Sequence, residues 1–330
     1  MEIRPEDDAS AQERTALRVK GLKIPAIYYA VALLLVIGLL FSVGNPNFIS
    51  VYNLNTIISY AALLLMVALG QMCAILVGGI DLSVGGVMSF VSVVFVKSVH
   101  AIGYWAYPLC ILIGVLTGYV NGNILTRIRI PSFIATLGTG GILMSLAMLV
   151  APVPVNVPAS SWGILDIFNG SFLKISNVLY IGFFVFLLYH ILMRFVIVGR
   201  NIFYVGSNIK MSWASGISVV KTRNFAFMMS GLGASMAGIM VSAIHFGSNP
   251  YVGAPYVLNS IASVVVGGTA LTGGTGGVIN TLFGTLIMSV LQNGMTVVGI
   301  DQYFQQSILG MMIIISVTLT FDRSKTPVIK

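Results

Sequence analysis

Asp81 is the one carboxylate set inside a long apolar block, in the stretch VGGIDLSVGG at 77–86. A carboxylate in lipid-like surroundings can take a coupling ion, contact a polar substrate, or cap a helix start, where free N–H groups and the helix dipole favour negative charge. Placed before Leu-Ser-Val, Asp81 is expected to act as the N-cap of a helix running from about 82, with Ser83 beside it. A direct part in gating or substrate contact stands next to that reading. Gln71, Asn121, Asn259, Asn293, Gln305 and Gln306 fall within apolar runs, where an amide must face a cavity or hydrogen-bond a neighbouring helix. Such neutral groups suit an uncharged polyol, and bonding between helices accounts for them equally well. Asp81, Ser83, Gln71, Asn259 and Asn293 are therefore the candidate pathway or gate residues.

Other chemistry is missing. No Gly-x-x-x-x-Gly-Lys-[Ser/Thr] occurs, nor any Gly-Lys pair, so the chain lacks the loop that cradles ATP phosphates. No HExxH or GxSxG is found, and no paired carboxylates share a helix face. Cys73 and Cys110 both lie in apolar runs and read as small packing residues; no Cys/His spacing marks a metal site. His100, His190 and His245 lie near helix ends or an outer loop and read as interfacial side chains. Asp301, before Gln-Tyr-Phe, reads as the N-cap of the last helix. No enzymatic activity, cofactor or metal is expected.

The elements that must hold these residues are set by lipid. The 330 residues are 57% hydrophobic and 8% charged, whereas soluble domains carry roughly a quarter charged residues. A soluble globular enzyme is excluded. Apolar runs at about 24–43, 56–77, 82–99, 106–125, 132–150, 178–195, 224–245, 256–271, 277–297 and 303–321 predict an all-α polytopic membrane protein with about ten transmembrane helices. The basic residues, all but Lys97 and Lys174, gather before the first run, at Arg127 and Arg129, within 194–223 and at the end of the chain. Basic loops stay on the cytoplasmic side. Both termini are therefore expected there, and the net charge of +8 reads as a topology signal, with no nucleic-acid partner. The parts are a cytoplasmic tail 1–23, a permease domain 24–321 and a cytoplasmic tail 322–330, the first tail a solvated arm.

Two glycine-rich breaks, 77–86 and VGGTALTGGTGG at 266–277, adjoin the shortest runs. Lipid tolerates irregular backbone only where protein buries it or it lines a watery cavity, so both breaks are candidates for the translocation path. Their shared VGG, Leu and hydroxyl residue hint at an internal repeat. Pro152, Pro154 and Pro158 predict an extended outer loop over about 151–177. In GRNIFYVGSNIKMSWASGISVVKTR, Asn208 is positioned to cap a short helix of about 209–215 closed by Gly216. Ile209, Met211 and Trp213 are apolar where the chain should be wet, so the protein's own helix ends or a partner's groove must cover them.

GGIDLSVGGVMSF (78–90), IPSFIATLGTGGIL (130–143), the GRNIFYVGSN…ASGI run (199–217), MSGLGASMAGIM (229–240), IASVVVGGTALTGGTGGVINTLFGTLI (261–287) and GIDQYFQQSILG (299–310) together resemble the permease subunits of ribose-type monosaccharide ABC importers. The resemblance spans nearly the whole chain. It implies an inner-membrane permease paired with a second permease copy, two cytoplasmic ABC ATPase subunits and a periplasmic sugar-binding protein, moving a monosaccharide or similar small polyol. It also implies that 206–217 is the ATPase coupling region, with Gly206, Asn208, Met211, Trp213 and Gly216 as its residues. Lys210, Met211, Ser212 and Trp213 stand where relatives often carry an acidic residue followed by small ones, which points to a dedicated ATPase. The alternatives are an ion-coupled secondary transporter with Asp81 as coupling carboxylate, or an ABC permease for a sugar-like signalling molecule or a branched-chain amino acid.

Overall fold

The computed structural model describes residues 16–19, 22–173 and 175–320. Residues 1–15, 20–21 and 321–330, which take in most of the first expected tail and all of the second, lie outside the described residues, as does Lys174. Within the segment read as an arm, β1 (Ala16–Val19) and β2 (Leu22–Pro25) pair antiparallel, with Leu17 opposite Ile24. Pro25 has no N–H to extend that ladder, and α1 (Ala26–Gly44) begins at the next residue.

The chain continues through α2 (Val51–Leu76), α3 (Val84–Ile102), α4 (Ala106–Asn123) and α5 (Ser132–Val150). After β3 (Val155–Asn156), α6 (Trp162–Asn169), β4 (Ser171–Phe172) and β5 (Ile175–Ser176) come α7 (Asn177–Phe195), α8 (Ile197–Ser207), α9 (Ile209–Ala214) and α10 (Val219–Ile244). β6 (Gly247–Ser248), α11 (Ala254–Val266), α12 (Val278–Val297) and α13 (Gln302–Thr320) complete it. Each predicted apolar run falls on a helix. Among the described residues, six helical stretches are long and apolar enough to cross a membrane: 51–76, 84–128, 132–150, 177–195, 219–244 and 278–297. The second takes in both α3 and α4, with Gly103 at φ +59° between them, and three shorter apolar helices lie at Tyr28–Gly44, Ala254–Val266 and Tyr303–Ile315.

Two helices form the interior. α2 is buried from Ala61 to Leu76 and α10 along most of its length, and α10 packs on α4, α2 and α3. Apolar surface alone does not drive helices together in lipid, so close backbone approach must do it. A Cβ on Gly231 would lie 2.0 Å from the carbonyl oxygen of Gly114, so only glycine lets α10 sit this near α4. The outside is the reverse of a soluble protein: Leu35, Leu39, Leu137, Leu149, Phe183 and Ile314 are all exposed, as a lipid-facing surface requires.

Three expectations need correction. The loop 151–177 is not merely extended, because WGILDIFN forms α6 and buries Leu165 and Phe168 against the core. The Tyr107 hydroxyl donates to Ile164 O at 2.8 Å, Trp162 packs on Phe246, and β3 pairs with β6. Those contacts outweigh the proline-rich composition before it. The segment 196–223 is mostly helical: α8 buries Gly199, Ile202 and Val205, a spacing of three that presents one apolar face, and α10 starts at Val219. The run expected over 256–271 stops at Val266, where Gly267, Gly268 and the glycines that follow open the second break.

Candidate functional site

The segment joining α2 to α3 is irregular backbone inside the bundle, and its polar groups need partners. Side chains supply them. Ser132 Oγ accepts from Ile80 N at 3.1 Å, Thr136 Oγ1 accepts from Leu82 N at 2.9 Å, and the same hydroxyl lies 3.3 Å from Ile80 O. The Gln71 amide, oriented by its neighbours, donates to Asp81 O at 2.9 Å and accepts from Asp81 N at 3.2 Å. Gln71 thus bonds Asp81 as an adjacent β-strand would. Ser132, Thr136 and Thr139 lie on one face of α5, at intervals of four and three residues.

Asp81 itself is 1% exposed. Its Oδ1 accepts from Ser83 N at 2.9 Å and from Ser83 Oγ at 2.5 Å. Ser83 Oγ in turn accepts from Asn121 Nδ2 at 2.8 Å, and Asn121 Oδ1 accepts from Thr139 Oγ1 at 2.8 Å. The second carboxylate oxygen, Oδ2, is buried without a hydrogen bond, and the Ser230 hydroxyl adjoins the carboxylate from α10. The N-cap expectation is corrected: α3 begins at Val84, Ser83 occupies the cap position, and Asp81 folds the preceding turn. Sequence reading missed Ser132, Thr136, Thr139 and Ser230. Only the i, i+4, i+7 hydroxyl spacing on α5 could have signalled three of them.

The other candidates are not brought to Asp81. Asn259 Nδ2 donates to Tyr60 OH at 3.1 Å, and Tyr60 OH donates to Gln292 Oε1 at 2.5 Å, joining α11, α2 and α12. Asn293 and Asn53 exchange amide hydrogen bonds of 2.9 and 3.0 Å. Tyr60 precedes Gln71 by eleven residues on α2, about 16 Å along the axis. These amides bond helix to helix. Gln305 Nε2 donates to Ile300 O at 2.9 Å, and Asp301 Oδ1 accepts from Tyr303 N at 2.9 Å, capping α13 as expected. His100 Nδ1 lies 3.1 Å from Ser161 Oγ, and His190 stacks on Phe186.

The two glycine-rich breaks meet. Gly274 N donates to Leu76 O at 3.0 Å, and a Cβ on Gly206 would lie 1.7 Å from that same oxygen and 2.6 Å from Gly274 N. The end of α8 is therefore pressed onto the last residue of α2 and onto the second break at once. Two residues further on, Asn208 Oδ1 accepts from Met211 N at 3.0 Å and caps α9, which ends before Gly216 at φ +81°. The predicted short helix is present. Met211 is 64% exposed and Trp213 75%, and Ile209 is exposed as well, so the chain's own helix ends do not cover them. A groove of about 330 Å³ beside α9 is lined by Tyr204, Ser207, Met211 and Ile217.

The profile of the family described as "Branched-chain amino acid transport system / permease component" matches residues 53–317. The chain belongs to this permease family. The permease is 32% identical over 292 residues to ribose import permease protein RbsC of Haemophilus influenzae, covering 87% of this chain and 90% of that one. It is 32% identical over 296 residues to RbsC of Escherichia coli, covering 87% and 91%. It is 28% identical over 291 residues to the D-allose transport system permease protein AlsC of Escherichia coli, covering 87% and 89%. The resemblance of the permease to ribose-type relatives, read above from motifs, thus extends over most of the chain.

Proposed function

We propose that this chain is the membrane-spanning subunit of an ATP-driven importer for a monosaccharide or similar small polyol, a multi-pass protein of the bacterial inner membrane. In this reading ten helices cross the bilayer, both termini are cytoplasmic, a second permease copy completes the pathway, and a periplasmic binding protein delivers the sugar. ATP hydrolysis resides in a separate cytoplasmic subunit. The observation that carries the reading is α9: a capped helix with Met211 and Trp213 bare at the basic end of a permease-family fold. A partner groove is the fitting cover for such a face. The relatives' names, which include ribose and allose permeases, support a sugar as cargo.

Gly206, Asn208, Met211, Trp213 and Gly216 form the coupling region in this proposal, with distinct tasks. Met211 and Trp213 meet the ATPase, Asn208 and Gly216 bound the helix, and Gly206 joins it to the breaks. Asp81, Ser83 and Gln71 hold the break whose movement gates the path, while Asn259 and Asn293 hold neighbouring helices. Asp81 as an ion-coupling carboxylate is the weaker reading, since Oδ1 is committed to Ser83 and the group is buried.

Proteoliposomes containing the chain, its ATPase and its binding protein are expected to accumulate sugar only with internal or external ATP at the ATPase face. Concentrative uptake by the chain alone, driven by a proton or sodium gradient, would refute the proposal. Competition by ribose, allose or branched-chain amino acids in the same assay names the cargo class.

A further inference from the structure

At the basic end of the bundle, a cleft of about 350 Å³ opens between the turn after α4 and the start of α10. Leu125, Ile130, Val219 and Val220 give it apolar walls, and Thr126, Arg129 and Arg223 are its polar lining. Neither the break at Asp81 nor the α9 surface uses these residues.

Three features there converge on an anion. Arg223 has a buried Nε–H without an acceptor, and an arginine has only donors to offer. Arg129, in the left-handed conformation (φ 65°) that closes the helical turn after α4, adds a second guanidinium to the cleft lining. Pro131 lines the cleft immediately before α5, whose start has no side-chain cap; Ile134 N and Ala135 N donate to Pro131 O at 3.1 Å, which leaves the Ser132 and Phe133 N–H groups and the positive end of the helix dipole at this end of α5. The acids among the described residues are Asp81, Asp166 and Asp301, and all three are placed elsewhere: in the α2–α3 break, on α6 and before α13. No described carboxylate answers the two arginines.

The apolar walls say what kind of anion. The two helices that flank the cleft in the chain also carry exposed apolar side chains, Tyr119 and Val120 on α4 and Phe133, Ile134 and Leu137 on α5. A free phosphate gains nothing from such walls, whereas a phospholipid has acyl chains to lay on them, and basic pockets between membrane helices suit anionic headgroups. We propose that this cleft binds the phosphate of an anionic phospholipid headgroup, with Arg129 and Arg223 as its charged donors and the start of α5 as a third. Ser132, the first residue of α5, bonds the backbone of the break at Ile80. A bound headgroup therefore braces the foot of the helix that holds the Asp81 segment.

The test uses the full-length chain purified in detergent, with native mass spectrometry and thermal unfolding as readouts. Phosphatidylglycerol is expected to be retained as a one-to-one adduct at about tenfold lower concentration than phosphatidylcholine, and to raise the unfolding temperature where phosphatidylcholine does not. Arg129→Gln and Arg223→Gln should each remove the preference, while Arg127→Gln, an exposed neighbour outside the cleft, should keep it. Equal retention of the two lipids by the unaltered chain overturns the proposal without reference to any variant. So does an Arg127→Gln loss as large as the others, which would make the effect one of bulk charge. Inorganic phosphate reproducing the shift makes the site one for a free anion, and disappearance of the preference on adding the ATPase gives the arginines to a subunit interface; either result refutes a lipid.

Discussion

Gly274 N donates to Leu76 O at 3.0 Å, so the second glycine-rich break is tied by a backbone hydrogen bond to the last residue of α2, immediately before the first break. Gly206 at the end of α8 leaves room for that bond and touches both of its ends. The helix α9 follows directly. A displacement of α9 thus has a short covalent and hydrogen-bonded route to the segments that interrupt the bundle.

Gly206→Ala should damage the junction, because its Cβ would lie 1.7 Å from Leu76 O and the obstructing atoms are backbone. Overpacking of this kind costs about 1–3 kcal/mol or more. Gly138→Ala is the control, since nothing lies within 4 Å of the added carbon. Thermal unfolding temperature in detergent should fall for the first and hold or rise for the second, since alanine is favoured over glycine inside a helix.

Asp81→Ala should destabilise more than Asp81→Asn. Alanine strips the acceptor from Ser83 N and Ser83 Oγ inside the bundle, and a buried polar group left without its partner costs about 1–3 kcal/mol. Asparagine keeps an acceptor oxygen, so a loss of about 1 kcal/mol or less is expected, with ATP-driven uptake retained. Loss of gradient dependence in Asp81→Asn, measured in proteoliposomes, would instead identify a coupling carboxylate.

Trp213→Ala combined with Gly216→Pro should abolish stimulation of the partner ATPase while membrane insertion is normal. Trp213 is exposed, so its removal leaves no cavity, and proline cannot adopt the φ of +81° at which α9 closes. Unchanged ATPase stimulation would remove α9 from the coupling path.

Asn53→Leu and Asn293→Leu should show a coupling free energy of about 0.5–1.5 kcal/mol in a double-mutant cycle, the range for polar pairs between membrane helices. The sugar KM is expected to stay constant across the cycle. A KM that rises with Asn293→Leu alone would move this amide from packing to the pathway.

Much of this was legible in the sequence because lipid imposes simple rules. The apolar runs located their helices, and Asn208 with Gly216 located α9, since a cap and a left-handed closure are local signals. α6 was hidden because its stability comes from Tyr107 and Phe246, residues distant in the chain, while the prolines before it gave the opposite local signal. Asp81 was legible as the one acid inside an apolar block, but its role was not. Whether it capped a helix depended on where Gln71, Ser132 and Thr136 hold the backbone, and those contacts cross between helices. Asn259 and Asn293 were legible as amides needing partners, and only the packing revealed that each faces another helix's side chain.

The bonding of Gln71 to both backbone groups of Asp81 has a consequence for protein engineering. The segment 78–83 is not a transplantable cassette, because the backbone groups of Ile80, Asp81 and Leu82 are answered by side chains on α2 and α5. Moved alone into another helical scaffold, it would arrive with orphaned backbone groups in a medium that has no water to answer them. The smallest graftable unit is the segment with Gln71, Ser132 and Thr136, drawn from three stretches of chain.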